Sequence, residues 1–213
     1  MARRIGTISA VAAFILSASY AVVLAAGLLS LDEPGQPIGD PWFTLLELLI
    51  LALAPTMVVL MAAVHVRARE ARRVLSLCAL VFIGIVAALT SAVHMAILVL
   101  GRSPQIAEAP WSSVLLSFRW PSLVYVLDVL AWDLFFALAM LFAAFTFEGG
   151  GPPRAIRSGM IASGLLSLAG LAGVARGDMD LRNVGILGYA IVFPVVALLL
   201  AILFAREDHE ARV

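Results

Sequence analysis

The sequence predicts an all-α, polytopic integral membrane protein: a six-transmembrane-helix bundle, one domain over residues 1–213, with both termini cytoplasmic. Three observations carry that prediction. First, 63% of the 213 residues are hydrophobic and 13% are charged, where a soluble domain has roughly half and about a quarter. The mean hydropathy is +1.07. Second, the apolar residues gather into six runs near the length of about 20 residues that a membrane-spanning helix needs. Third, the arginines fall mainly on alternate loops, as the positive-inside rule demands of a multi-pass chain.

The first span, about 5–31, follows MARR and carries LAAG, which together resemble a secretory leader. Its apolar run exceeds the 7–15 residues of a leader's hydrophobic core, so a retained helix is expected. DEPGQPIGDP at 32–41 breaks the chain, and the second span runs over about 42–64 with Glu47 and Pro55 inside it. RAREARR at 67–73 separates it from the third span, about 74–100, which holds Cys78 and His94. In the following loop, PWSSVLLSFRW sets Trp111, Val114, Leu115 and Phe118 at helical spacing against Ser112, Ser113, Ser117 and Arg119. That pattern describes an amphipathic segment on the membrane surface, either an anchor or a lid over a site below.

The fourth span, about 122–147, contains Asp128 and Asp133, and GGGPPR at 149–154 ends it. The fifth, about 158–175, has Gly159, Ser163, Ser167 and Gly170 on one stripe, a pattern that lets helix backbones approach closely. RGDMDLR at 176–182 leads to the sixth span, about 183–205, with Tyr189 and Pro194. Arg3, Arg4, Arg67, Arg69, Arg72, Arg73, Arg154, Arg157, Arg206 and Arg212 fall on one side, and Arg102, Arg119, Arg176 and Arg182 on the other. The larger group marks the cytoplasmic face. Trp42, Trp111 and Trp120 fall on the opposite face, where an interfacial aromatic belt belongs.

Composition also excludes several functions. A net charge of zero without a basic stripe argues against nucleic acid. Every basic residue is arginine, so no lysine Schiff base can form. One cysteine allows no internal disulfide and no multi-cysteine metal site. The three histidines, His65, His94 and His209, are poorly placed for a bis-histidine haem. No nucleophile elbow, P-loop or dinucleotide fingerprint is present, and no motif implies a cofactor.

The polar residues inside the spans point to a site. Counting about 1.5 Å per residue from the span ends puts Glu47, His94 and Asp128 some 8–9 Å below the outer face. Tyr125 and Tyr189 share that level. Tyr125, Asp128 and Trp132 lie on one helical face, whereas Asp133 is five residues on and about 140° round an α-helix. Asp133 is expected near the midplane, without a cation at its level and with Tyr20, Thr56 and Thr90 as neutral donors. Desolvation without a cationic partner favours the neutral acid. Pro55 and Pro194 each free a carbonyl that a protonated Asp133 could serve.

Glu47, His94 and Asp128 together suit acid–base chemistry, with Asp133, Tyr125, Trp132, Tyr189 and Tyr20 relaying protons or contacting a substrate. The same three side chains suit a metal only weakly, because the usual ligand spacings are missing. A hydrogen-bonded cluster that merely fixes helix register is the plainest alternative. The expected function is binding of a small or lipophilic molecule in an outward-opening pocket. A small proton-linked transporter, or a non-catalytic subunit held by a membrane-protein partner, are the alternatives; membrane lipids are partners in every case.

The run DVLAWDLFFALAMLFAAFTF, a Gly-Pro loop, a small-residue helix and then RNVGILGYAIVFPVVALLLAILF resemble an uncharacterised family of small six-helix bacterial membrane proteins. That resemblance covers the layout of most of the chain. It implies a bacterial plasma (inner) membrane location and no particular activity.

Overall fold

The computed structural model describes residues 1–33 and 36–210. Pro34 and Gly35 of the first loop signal and Arg212 of the arginine count lie outside the described residues. Among the described residues, six helices long and apolar enough to cross a membrane follow one another: Ala2–Leu29, Trp42–Arg67, Glu70–Val99, Leu123–Ala144, Pro152–Arg176 and Met179–His209. Each packs on its successor, and the sixth closes on the first, so the bundle is a ring of six.

The spans extend beyond the apolar runs wherever local chemistry continues the helix. The fifth begins at Pro152–Pro153, because proline suits the first helical position. It ends at Gly177, whose φ of 70° places it in the left-handed conformation of a helix stop. The fourth is capped by Ser122, whose Oγ accepts from the Tyr125 N–H at 3.2 Å. The sixth starts four residues earlier than the hydropathy predicts, because Asp178 caps the turn Met179–Arg182, its Oδ1 accepting from the Leu181 N–H at 3.0 Å. That early start places Arg182 inside the helix and not in the loop.

Large apolar side chains such as Val22, Val81, Leu165 and Val195 point outward, while Ser163, Ser167 and Asp133 are buried. A helix apolar on all sides is at home in lipid. At one end, Arg67 pairs with Glu207 (2.8 Å), and Arg69 and Arg72 pair with Glu148 (3.0 and 2.7 Å). Arg3 Nη1 donates to the Glu207 carbonyl at 3.2 Å, so the N-terminus and the 67–73 loop share one end with the 145–151 loop and the C-terminal helix. At the other end Arg102 pairs with Asp40 (2.8 Å). The amphipathic segment is a single short turn, Ser112–Leu115.

The fifth and sixth spans meet through small residues. Ser163 Oγ donates to the Gly188 carbonyl at 2.9 Å. A Cβ at Gly170 would stand 2.9 Å from the Arg182 carbonyl oxygen, and one at Gly173 would collide with the Arg182 backbone nitrogen. Besides the 3₁₀ turn Glu70–Arg72 that opens the third span, two described stretches depart from α geometry: Leu130–Phe136 and Leu187–Val192 are π-helical. The second immediately precedes Pro194, where a wider turn accommodates the missing donor.

Candidate functional site

The fourth span, with its π-helical stretch, carries most of the polar side chains. Asp128 lies just before the wider turn and Asp133 within it. A π-turn closes with i→i+5 hydrogen bonds, so each residue advances by less than the α-helical 100°. The 140° separation expected of an ideal helix therefore does not apply. Asp128 is 8% exposed and Asp133 0%.

Glu47, His94 and Asp128, from the second, third and fourth spans, do converge. His94 Nδ1–H donates to Glu47 Oε2 at 2.8 Å. Its Nε2 faces Asp128 Oδ1 at 3.5 Å, an ion-pair distance beyond a good hydrogen bond. Glu47 thus fixes the plane of the imidazole and leaves the other nitrogen directed at Asp128. Because the two carboxylates approach opposite ring nitrogens, the three groups do not surround one point. That geometry does not favour the weak metal alternative, and among the described residues no group of three His, Cys, Asp or Glu is placed to hold a metal ion.

The expectation for Asp133 is also corrected. It has a cation at its level: Arg182 Nε–H donates to Asp133 Oδ2 at 3.0 Å. Arg182 is 4% exposed. Counted from sequence as an outer-face arginine, it instead turns inward from the first turn of the sixth span. Asp133 thus pairs with Arg182 through Oδ2, not with the proposed hydroxyls or a proline-freed carbonyl. Thr56 donates to its own helix at the Ala52 carbonyl, and Thr90 Oγ1 has no hydrogen-bond partner.

These groups border one cavity of about 270 Å³. Tyr20 and Ser17 come from the first span, His94 from the third, and Tyr125, Asp128 and Trp132 from the fourth. Arg182, Asn183 and Tyr189 come from the sixth. Glu47 and Asp133 stand behind it, each holding a lining residue. The Trp132 and Tyr189 rings lie 5.1 Å apart between centroids, and Arg182 sits 5.4 Å over the Tyr125 ring. Phe118, from the loop after the third span, also lines the cavity and is 43% exposed. Its ring lies 5.9 Å from His94 and 5.2 Å from Tyr125.

All eight residues singled out from sequence are thereby placed: six line the cavity, and Glu47 and Asp133 each hold a side chain that does. Reading the sequence missed Arg182, Ser17 and Asn183. For Arg182 a signal was present, since Asp178 three residues before Leu181 is a helix-start pattern. The glycines at 170, 173, 185 and 188 further mark a close backbone approach where that arginine enters. Fold and site together define an all-helical bundle, with six helices long and apolar enough to cross a membrane among the described residues, and a polar cavity inside it. The chain matches no family model, no curated protein and no solved structure.

Proposed function

We propose that this protein binds a small or lipophilic molecule in the cavity, which opens toward the end of the bundle that bears Phe118 and lies outside the cytoplasm. One observation carries the reading: Ser17 Oγ, Asp128 Oδ1 and Arg182 Nη2 are buried without hydrogen-bond partners, and all three belong to residues lining the same cavity. A buried polar atom left unpaired costs about 1–3 kcal/mol, more when charged. Thr90 Oγ1, Asp133 Oδ1 and Ser167 Oγ are also unpaired but do not line the cavity; what supports a ligand is that the other three, from three different spans, face the same space. The Glu47–His94 bond gives the cavity an oriented imidazole, and Asp128 beside it supplies the second group that acid–base chemistry would use. The pair that lining Arg182 forms with Asp133 behind it favours a proton-linked transporter as the second reading, since paired intramembrane charges also mark proton pathways.

Native mass spectrometry of the purified protein tests the first reading. A bound small molecule is expected on the wild type and its loss on Ala190→Phe, which fills the cavity from the sixth span. Equal adducts on both proteins, or none on either, overturn it. A transporter would in addition expose Asp133 to reagents from both sides in turn, whereas a binding protein or enzyme would not. The orientation is checked by a cysteine placed in the 67–73 loop, which should label only after the membrane is permeabilised.

A further inference from the structure

The unpaired atoms also specify a head group. We propose that the cavity takes a lipophilic molecule whose polar head is uncharged and both donates and accepts hydrogen bonds, an alcohol or a carboxamide. This rests on the pocket reading above and adds the class of ligand.

Arg182 Nη2 is a donor without an acceptor, because a guanidinium carries only N–H groups. Asp128 Oδ1 is an acceptor whose nearest donor, His94 Nε2 at 3.5 Å, stands beyond a good hydrogen bond, so it has room for a closer one. Ser17 Oγ can serve either way. A ligand that satisfies the first two must therefore present an acceptor and a donor. A hydroxyl has one O–H and two lone pairs, and a carboxamide has an oxygen and an NH₂, so either head can do both.

Charge narrows the choice. Glu47, Asp128 and Asp133 already stand against Arg182 and His94, so a carboxylate or phosphate would bring a fourth acidic group to the cluster. An ammonium could satisfy Asp128 but offers Arg182 no acceptor, and it adds a second permanent cation beside the guanidinium. Tyr125 is no alternative seat for that cation, because Arg182 already lies against its ring. The Trp132, Tyr189 and Phe118 rings provide flat apolar walls, which suit a planar hydrocarbon body. The volume is just under the usual range for drug-sized ligands, so a bicyclic molecule is an appropriate probe.

The test compares five probes that share one ring system: naphthamide, naphthylmethanol, naphthoate, naphthylmethylamine and naphthalene. Binding is measured calorimetrically on the full-length protein in nanodiscs of phosphatidylethanolamine and phosphatidylglycerol, with empty nanodiscs subtracted. Naphthamide and naphthylmethanol should bind about tenfold or more tighter than the other three, the size of one hydrogen bond to a charged group. Asp128→Asn should narrow the gap between naphthamide and naphthoate, because the carboxylate no longer repels the anion; a purely structural aspartate would leave that ratio unchanged. Ser17→Ala leaves every charge in place and should weaken the amide and the alcohol several-fold without affecting naphthalene. It serves where Asp128→Asn does not fold. Tightest binding of the amine or of naphthoate overturns the head-group inference. So does equal affinity for all five, which would mean that water satisfies the unpaired atoms; in each of these cases the pocket reading survives. Absence of binding by any probe, with no native adduct, removes both.

Discussion

Replacing Asp133 by asparagine measures what the buried pair with Arg182 contributes. The side chains are 0% and 5% exposed and joined at 3.0 Å. Removing one partner of a buried pair costs about 3–5 kcal/mol, because the other charge stays behind unpaired. Here a single N–H···O contact joins them, and Asp133 Oδ1 and Arg182 Nη2 have no hydrogen-bond partner. The lower end, about 3 kcal/mol, therefore applies to Asp133→Asn. The asparagine keeps the shape and cannot answer the guanidinium charge, which cannot be relieved by losing a proton. Arg182→Met leaves a carboxyl that can take up a proton, so its cost should be smaller, about 1–3 kcal/mol. The double variant should lose at least about 1 kcal/mol less than the sum of the singles, the mark of coupled residues. Denaturant unfolding in detergent near neutral pH, followed by tryptophan fluorescence, reads all three. An Asp133→Asn loss below about 0.5 kcal/mol would place it with ordinary surface substitutions and refute the reasoning. Arg182→Met proving the costlier single would refute it equally.

Two further outcomes follow from packing and from the loops. Gly173→Ala should destabilise by about 1–3 kcal/mol through overpacking, because its Cβ meets the Arg182 backbone; Gly84→Ala, which meets nothing within 4 Å, is the matched neutral control in the same unfolding assay. The hydrogen bond and charge of Arg72, with Arg69 beside it, hold the Glu148 carboxyl below its ordinary range. A depressed folded-state value stabilises above the unfolded one and is lost as pH falls through the folded one. Acid titration of stability should therefore show a step at and below the ordinary carboxylate range that Glu148→Gln diminishes. An identical acid profile in that variant would show that the pair contributes nothing.

The six spans were legible because lipid imposes one simple requirement, a long apolar run, and each predicted run lies within six residues of an observed helix. The meeting of Glu47, His94 and Asp128 was legible too, because rise per residue fixes depth and an isolated charge is costly in lipid. Arg182 was not. An arginine at a span boundary reads as a solvent-side residue, and only the Asp178 cap and the glycine contacts draw it inward. The angle between the two aspartates was not legible either, since hydropathy carries no trace of an i→i+5 turn and the 100° step assumes an ideal helix. Phe118 was visible only as part of an amphipathic pattern; its contact with His94 depends on how the loop folds back.

The two π-helical stretches have a mechanical consequence. They belong to different spans, yet Trp132 and Phe136 of one touch Tyr189 of the other. A wide turn interrupts the regular i→i−4 ladder, and such interruptions are where long helices kink. The fourth and sixth helices are thus each a pair of stiff rods coupled by a compliant segment, with both couplings at one height beside the cavity. Bending strain in the bundle concentrates there, so the tilt of the rods and the width of the cavity form a single soft coordinate.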